Sequence, residues 1–465
     1  MDPINVQIGK VLPKDTQRNK LDNQMRFHRA SYDGGSDFKS ILDDQNEPVL
    51  ISHENESEVG YNRRKRSATY HNHCKPIVQK FNNLVFSSPI IRDQSTGQWQ
   101  EFVDDCDMLG TDLDNYMRKV IQNAQIDGSR YTIFESSKSQ DVVTVAQAML
   151  ENSRPFLVDV DPRNVMAERV VGNNRIMEIL IRISKHEARL YDRHDVSIIT
   201  LNDFGSVIGI DVFPHGYSDT PVVKFVANDD SVSQLVDIAQ VNKALFNLDA
   251  LMSEELARQV FTQWFAAGLD AGSPDPTMND VQSKPLQDVT VGGRKLIATS
   301  NPNVSFTRLS GDSSQAKSLQ EAMLAKVEEI QRLSGMRDPK VQEASGRALK
   351  ILFDEALMQA QQISRNAEHG ENDVIDLFNE ATGQGVTYTS YPPTFLSEDR
   401  STDLQQVLQA LQGELPPSLK KAFVEKFISQ HFADLSEEDK RKITQELEAI
   451  LNKPDETEEE DDAAE

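Results

Sequence analysis

Residues 235–265 read LVDIAQVNKALFNLDALMSEELARQVFTQWF, and this run says more about the architecture than any other part of the chain. Its apolar residues recur three and four positions apart, which places them on one face of an α-helix. At 1.5 Å per residue, a helix over 233–268 would extend about 50 Å. The sequence therefore predicts one long rod at 233–268.

A second amphipathic pattern, at 314–334, follows a segment rich in Gly, Pro and Asp, residues 271–311. Two short strand-like runs, 289–291 and 295–298, flank Gly292 and Gly293 in that segment. Ser334-Gly-Met-Arg-Asp-Pro339 ends the second helix, because glycine frees the backbone and proline cannot continue the helical hydrogen bonds. A third helix is expected from about Ser345, a suitable N-cap, to about 363. We predict two long helices around a compact insert, then a loop at 335–344.

The residues before the rod have a different character. Helical spacing at 67–86 and 113–124 is followed by a break at Asp127-Gly128 and then by short β-branched runs that are typical of strands, at 131–134, 156–160, 177–183, 196–201 and 222–226. Residues 61–232 are therefore predicted to form one α+β domain. Residues 1–60 are polar and contain Gly34-Gly35, so we interpret them as an arm or a loosely packed flank.

The residues after the third helix are expected to contain a return strand near Val386-Thr-Tyr-Thr389, within 345–399, and then helices at 403–411, 417–432 and 437–451. Eight of the eleven residues from 455 to 465 are Asp or Glu, and no apolar periodicity continues there. We predict that residues 454–465 form a disordered acidic tail.

The composition excludes several classes of protein. With 49 Lys+Arg against 74 Asp+Glu, the formal charge is −25, whereas proteins that hold duplex DNA usually gain affinity by neutralising phosphates. Any contact with nucleic acid should therefore be local or weak. Two cysteines are too few for a disulfide framework, which indicates a reducing compartment, and no apolar run is long enough to span a membrane.

Catalytic and cofactor motifs are not found. There is no P-loop and no G-x-S-x-G motif, and Val291-Gly-Gly-Arg-Lys295 is interpreted as a hairpin turn. Asp159 and Asp161 have carboxylate spacing but lack the glycine and final glutamate of a calcium loop. His71-Asn-His73-Cys74 has metal-type ligands without a second ligand pair. We therefore predict no enzyme, no metal and no cofactor; a metal-dependent enzyme that uses His71 and His73 is an open alternative.

The order of these parts resembles the portal proteins of tailed bacteriophages, in their siphophage-like branch. HNHCKPIVQKFNNLVFSSP at 71–89 is similar to the family's early helix, although Phe86-Ser-Ser-Pro89 has serine where the family has glycine. AQIDGSRYTI at 124–133 is similar to its helix-Gly-strand step. The strongest match is ASGRALKILF at 344–353, similar to the segment that follows the channel loop.

The resemblance implies an α+β portal fold that assembles as a ring, a dodecamer. Its parts would be a wing (61–232), a stem helix (233–270), an α/β clip (271–311), a second stem helix (312–334), a tunnel loop (335–344), a wing helix and return strand (345–399) and a helical crown (400–453). Such a ring sits at one capsid vertex of the virion, after assembly in the host cytoplasm. Double-stranded DNA would pass through it without sequence specificity during packaging, retention and ejection.

The resemblance also implies partners and contact residues. The partners would be the terminase large subunit, a head-tail adaptor protein, and the major capsid and scaffolding proteins. Clip contacts to terminase or connector would come from Asp288, Val289, Arg294 and Lys295. The tunnel loop would present Met336, Arg337, Asp338, Lys340, Gln342 and Glu343 to the channel, with Arg337 and Lys340 nearest the DNA backbone.

Two points are left open by the sequence. The acidity either prevents the channel wall from holding DNA or merely aids solubility. The chain is also compatible with another virion structural protein, a scaffold or adaptor, that has no DNA channel.

Overall fold

The computed structural model describes residues 4–13, 18–54, 56–94, 97–136, 154–172, 174–260, 263–267, 305–309, 313–335, 346–391 and 442. The chain divides into two compact units, Met1–Pro393 and Thr394–Glu465. All described residues except Lys442 belong to the first unit. The predicted crown and acidic tail therefore lie outside the described residues. The fold is mixed α+β.

Among the described residues, six helices precede the first strand: α1 (Arg18–Asp33), α2 (Gly35–Phe38), α3 (Glu58–Ser67), α4 (Cys74–Val85), α5 (Gln98–Asp104) and α6 (Leu113–Asp127). The helix predicted at 113–124 is confirmed as α6, in which the Asp112 side chain accepts a hydrogen bond from the Asn115 N–H. Gly128, with φ 92°, ends α6 as expected, because this left-handed conformation favours glycine.

The helix predicted at 67–86 is shorter than expected. It begins at Cys74, and its start is defined by the Asn72 side chain, which accepts a hydrogen bond of 2.9 Å from the Lys75 N–H. Pro76 follows in the first turn, where a proline has no N–H to leave unpaired. The apolar spacing at 77–86 identified the helix correctly. The predicted start at residue 67 was too early, because the polar residues before Cys74 carry no apolar periodicity.

In the described part of residues 129–226, eight strands form two antiparallel sheets: β1 (Ser129–Ser136), β2 (Pro155–Val160), β3 (Val165–Val171), β4 (Arg175–Arg182), β5 (Glu187–Tyr191), β6 (Asp195–Leu201), β7 (Val207–Pro214) and β8 (Val222–Val226). One sheet has the order β2-β1-β8, and the other is a meander from β3 to β7. All five predicted strand runs coincide with strands. The strands β3, β5 and β7 were missed because charged residues or glycine interrupt their apolar alternation.

The five-stranded sheet is covered on both faces. Ile179 and Ile181 of β4 pack with Tyr131 and Val222 of the three-stranded sheet, whereas Leu180, between them, points to the opposite face. There it packs with Leu12 of the N-terminal segment. That segment also joins the edge of β7, since the Gly9 N–H donates to the Val207 carbonyl at 2.8 Å.

The prediction that residues 1–60 form an arm or a loosely packed flank is wrong. Phe27 and Phe38 are fully buried, and the Phe38 ring stacks on Tyr70 with 3.9 Å between ring centroids. The Phe38 ring also meets Phe246 edge to face at 5.4 Å. A few large aromatic side chains thus attach this region to the core. Because they are widely separated among polar residues, they produced no periodic signal in the sequence.

The second half of the described chain contains α7 (Val236–Val260), β9 (Gln263–Ala267), β10 (Ser305–Leu309), α8 (Ser313–Leu333) and α9 (Gly346–Thr382). The single rod predicted at 233–268 is therefore wrong at its end. The helix stops at Val260, and residues 263–267 form a strand that pairs antiparallel with 305–309. Trp264 and Phe265 lie in this strand, which suits aromatic residues better than a helix does.

The third long helix, α9, begins at Gly346, next to the predicted start at Ser345, and continues well beyond 363. The predicted return strand near 386–389 is wrong, because residues 383–389 form no strand; only an isolated bridge joins Ser390 to Ile91. Side chains of α9 make the backbone hydrogen bonds that a neighbouring strand would otherwise make. The Asn379 amide bonds both backbone groups of Val386, and the Asn372 amide bonds both of Thr389.

Candidate functional site

The helical hairpin of α7 and α8 is the part of the molecule that best fits the predicted stem. The start of α7 is anchored in the α+β body: the buried Ser233 hydroxyl donates to the Ile126 carbonyl at 2.6 Å and accepts from the Leu235 N–H at 3.0 Å. The Gln234 N–H donates to the Gln125 carbonyl at 2.9 Å. These bonds connect the start of α7 directly to the end of α6.

The first half of α7 is also held by the N-terminal region. Gln240, Lys243 and Asn247, three or four positions apart, lie on one helical face. Lys243 forms an ion pair with Asp43, and the Asn247 amide donates to the Val49 carbonyl at 2.8 Å. Burial would raise the pKa of Asp43, but the hydrogen bond from Lys243 and those from backbone N–H groups outweigh it and lower that pKa. This half of α7 is thus rigidly placed.

The second half of α7 is less covered. Leu245, Phe246 and Ala250 are buried, whereas residues 251–255 are half-buried and Leu256 is 47% exposed. The burial of α7 therefore decreases toward its end, and apolar surface is exposed there.

The helix α8 contacts α7 and shows the same incomplete burial. Ile330, near its end, is the one buried apolar side chain among the described side chains of α8. Met323 and Val327 are half-buried, and Leu324 is 55% exposed. The helix is amphipathic, yet most of its apolar stripe has no complete cover within this chain.

The strands β9 and β10 pair directly beyond these two helices. Gln263 is opposite Leu309, and Ala267 is opposite Ser305, so the antiparallel ribbon brings residues 267 and 305 together. The first of these strands lies in the predicted stem helix, 233–270, and the second lies near the end of the segment predicted as a clip, 271–311. Asp288, Val289, Arg294 and Lys295, and the strand-like runs at 289–291 and 295–298, lie outside the described residues.

The loop predicted at 335–344 is described only at its first residue, Gly335. Gly335, with φ 64°, ends α8 in the left-handed conformation, which confirms the predicted helix stop at Ser334-Gly335. Its α-carbon lies against the Ala356 backbone of α9, so a β-carbon at residue 335 would be 3.6 Å from the Ala356 nitrogen. Met336, Arg337, Asp338, Lys340, Gln342 and Glu343 all lie outside the described residues.

A buried ion pair connects α9 to the rest of the subunit. The Arg92 guanidinium binds both carboxylate oxygens of Glu371, whose side chain is 0% exposed. Thr389 and Tyr391 donate to the same carboxylate, at 3.0 and 2.8 Å. Burial would lower the pKa of Arg92, but Glu371 outweighs it and raises that pKa. This network is a structural anchor, since every member is paired.

A cleft of about 860 Å³ lies along α9, lined by carboxylates and by cations. The cations are paired, Arg175 with Asp219 and Lys224 with Glu168. The Asp373 side chain reaches solvent but is surrounded by protein, and this reduced solvation, together with the Asp376 charge, raises its pKa to about 6. In the same lining, the Ser218 backbone N–H and hydroxyl donate to the two carboxylate oxygens of Glu380, at 2.6 and 3.0 Å.

The structure does not assemble a metal site from the His71 cluster. The His71 Nε2 atom lies 3.1 Å from an Asp249 carboxylate oxygen, and Cys74 is buried, which raises the pKa of its thiol to about 12. Within the described ranges, no three His, Cys, Asp or Glu side chains are grouped as metal ligands. Asp159 and Asp161 are likewise engaged, by Arg130 and Arg163 respectively.

Among the helices of the described ranges, none has both the length and the hydropathy that crossing a membrane requires.

No protein-family model matches the sequence, and a search of curated proteins found no relative. The structure is similar to a chain in the virion of a native gene transfer agent (GTA) particle, with TM-score 0.45 and 12% identity over 90% of this chain and 95% of that one. It is also similar to chains in two GTA necks. For the neck of an empty particle computed with C6 symmetry, the TM-score is 0.44 and the identity 13%, over 79% of this chain and 93% of that one. For the neck of a native particle computed with C12 symmetry, the TM-score is 0.44 and the identity 12%, over 96% of both chains. These identities and TM-scores are too low to carry an argument about function.

Proposed function

We propose that this chain is a portal protein that forms the ring-shaped channel for a viral genome at one capsid vertex. The observation that carries the proposal is the hairpin of α7 and α8, which is closed by the β9–β10 ribbon and is incompletely buried in a single chain. A subunit with such a hairpin needs neighbours. Copies placed side by side around an axis would cover the exposed apolar stripe of each hairpin.

A closed ring is the simplest assembly that meets this need. Contacts between two different faces of identical subunits generate either a ring or an open filament, depending on whether the rotation closes. The order of parts in the sequence, with its resemblance to portal proteins, favours the closed ring and a dodecamer. In that ring, α7 and α8 would form the stem, and the insert beyond β9 and β10 would form the clip.

The charge of the chain suits passage of DNA rather than its capture. A subunit with a formal charge of −25 repels phosphates over most of its surface, so a ring of such subunits would not hold duplex by counterion release. We assign transient contacts with the DNA backbone to Arg337 and Lys340 of the tunnel loop. We assign contacts with terminase and then with the head-tail adaptor to Asp288, Val289, Arg294 and Lys295.

Imaging of the purified full-length protein tests the proposal. Negative-stain electron microscopy should show rings with an axial hole, because the covered hairpins define a many-fold axis. Monomers, or assemblies that have no hole at any protein concentration, would instead indicate a scaffold or adaptor without a channel.

The tunnel-loop assignment has its own test. Replacement of Arg337 and Lys340 by alanine should leave the rings intact and reduce the amount of DNA packaged or retained per particle. Asp338→Asn is a matched control in the same loop. An unchanged yield of packaged DNA in the double variant would remove the role assigned to these two cations.

A further inference from the structure

A groove between α2 and α3 has a lining that differs in charge from the chain as a whole. It has a volume of about 680 Å³. Apart from one valine, its lining consists of three cationic side chains, two hydroxyls and one amide: Lys39, Lys65, Arg66, Ser36, Ser40 and Asn62. No carboxylate lines it, although Asp and Glu outnumber Lys and Arg by 74 to 49 in the sequence.

The neighbouring Arg64 points inward, whereas Lys65 and Arg66 line the groove and the Arg66 Nε–H donates to the Asn62 carbonyl at 3.3 Å. Arg64 is buried, and its guanidinium binds both oxygens of Glu56, with Nε–Oε1 2.9 Å and Nη2–Oε2 2.6 Å. It also donates to the Ile51 carbonyl at 2.7 Å. Arg64 thereby fixes the rotation of α3 and occupies the Glu56 carboxylate.

The remaining neighbours leave the positive charge of the groove in place. Arg63 faces away, toward Glu254 on α7 at 3.5 Å. The Lys39 ammonium donates to the Arg66 carbonyl at 3.4 Å, which brings the end of α2 against the end of α3. Two exposed carboxylates lie nearby outside the lining: Asp37, which accepts from the Ser36 hydroxyl at 3.2 Å, and Glu58 in the first turn of α3.

Complementarity to the helix dipole accounts for only part of this arrangement. Cations in the last turn of a helix are favourable in any protein, and Lys65 and Arg66 occupy that turn in α3. The dipole does not explain why Ser36 of α2, and Lys39 and Ser40 of the turn after it, line the same concave surface. Ammonium, guanidinium and hydroxyl donors without carboxylates are the set that binds phosphate oxygens.

We propose that this groove binds the phosphate backbone of duplex DNA, weakly and without sequence preference, at a position separate in sequence from the tunnel loop. The identity of the polyanion rests on the proposed function as a DNA conduit. The acidic remainder of the subunit limits the affinity, so a ring could touch DNA at many equivalent grooves and still release it.

Binding of a short fluorescein-labelled duplex of arbitrary sequence to the full-length protein tests this proposal. The double variant Lys65→Gln/Arg66→Gln removes two cations from the groove. The control variant Lys185→Gln/Arg193→Gln removes two exposed cations from the loops of the five-stranded sheet, so the change in net charge is the same. Fluorescence anisotropy between about 50 and 200 mM salt gives the affinity and its salt dependence for each protein.

The groove variant should bind the duplex roughly tenfold more weakly than wild type at about 50 mM salt, and its slope of log affinity against log salt should be smaller by about two. The control variant should keep the wild-type slope. Equal loss in both variants would overturn the proposal, because it would show an effect of net charge alone. Binding of a synthetic peptide of residues 454–465 at the groove, with no binding of duplex, would also overturn it in favour of an acidic protein segment.

Ring imaging of the same samples separates this inference from the proposed function. Rings whose duplex binding does not depend on Lys65 and Arg66 would overturn the groove assignment alone. Protein that binds duplex through the groove but forms no ring would overturn the portal proposal and support the groove as a DNA contact.

Discussion

Glu371 is a buried carboxylate that is held by several hydrogen-bond donors. Its carboxylate is fully buried and accepts hydrogen bonds from Arg92, Thr389 and Tyr391. A buried pair of this kind contributes little relative to apolar residues of the same shape, but it is costly to break, because the remaining charge is left unpaired.

Glu371→Gln should therefore lower the free energy of unfolding by about 3–5 kcal/mol, as measured by urea denaturation. Asp114→Asn is the matched control, because Asp114 also binds Arg92 but its side chain is 67% exposed. Loss of this exposed pair should cost less than about 1 kcal/mol. Similar losses in the two variants would show that burial does not determine the strength of this network.

Gly370 sets how closely α9 approaches β8. A β-carbon at residue 370 would lie 2.5 Å from two carbons of the Phe225 ring, closer than real β-carbons come. The absence of a side chain therefore lets the helix backbone pack directly on an aromatic ring of the sheet.

Gly370→Ala should destabilise the fold by about 1–3 kcal/mol through overpacking, although alanine favours helix formation by about 1 kcal/mol. Thermal unfolding followed by circular dichroism measures this change. The double variant Gly370→Ala/Phe225→Ala should lose less stability than the sum of the two single variants, since alanine has neither of the ring carbons that a β-carbon at residue 370 would meet. If the double variant is additive with the two single changes, the clash is not the cause.

At the scale of elements, α3 depends on one ion pair that joins its two ends. Glu56 precedes the N-cap Ser57, and Arg64 lies in the last turn. The hydrogen bonds from Arg64 lower the pKa of Glu56 to about 2, from an ordinary value of 4.5. Because the pKa is lower in the folded state, the stabilisation is complete above about pH 4.5 and is lost as the pH falls toward 2.

Between pH 5 and pH 2, the wild-type protein should lose about 1–2 kcal/mol more unfolding free energy than Glu56→Gln does; this is less than about 1.4 kcal/mol per unit of pKa shift would give, because water near Glu56 screens the ion pair. Urea denaturation at a series of pH values gives both curves. Glu58→Gln, an exposed position in the first turn of the same helix, should follow the wild-type curve. Parallel decline of the wild-type and Glu56→Gln curves would assign the acid sensitivity to other carboxylates.

At the scale of the whole molecule, exposed apolar surface on the hairpin is the feature that a single chain leaves incomplete. Leu256 of α7 is 47% exposed and Leu324 of α8 is 55% exposed, and both helices are otherwise only half-buried where they leave the body. Contiguous apolar surface of this kind usually marks an interface.

The double variant Leu256→Ser/Leu324→Ser should shift the protein from rings toward monomers, by tenfold or more in the apparent assembly constant if about 1.4 kcal/mol is lost per interface. Mass photometry across a dilution series measures this shift. Leu109→Ser is the control, because Leu109 is 86% exposed but lies before α6, away from the hairpin in sequence. A melting temperature equal to that of wild type would show that the leucines act in assembly and not in folding.

Most secondary structure that the sequence predicted correctly is local in origin. The helix at 113–127 is defined by apolar residues at helical spacing, by a capping Asp112 and by Gly128, all within seventeen residues. The five predicted strand runs were found in the same way, from neighbouring β-branched residues. Such signals need only the contacts that a residue makes within its own element.

The candidate functional elements were predicted less completely, because they depend on distant partners. The end of α7 at Val260 is determined by the pairing of 263–267 with 305–309, about forty residues away. The groove between α2 and α3 needs Lys39 brought beside Lys65 and Arg66, with Arg64 turned inward to Glu56. Neither pairing leaves a periodic signal in the sequence.

Local sequence patterns were enough for most element types, for the two long helices, and for the acidity that makes strong adhesion to DNA unfavourable. Contacts between remote parts of the chain were needed to show that Phe27 and Phe38 are buried, that residues 383–389 are held by asparagine side chains of α9, and that the α7–α8 hairpin has uncovered apolar surface. Periodicity and charge are properties of residues that are close together in the sequence. The burial of a side chain depends instead on which remote parts of the chain pack against it.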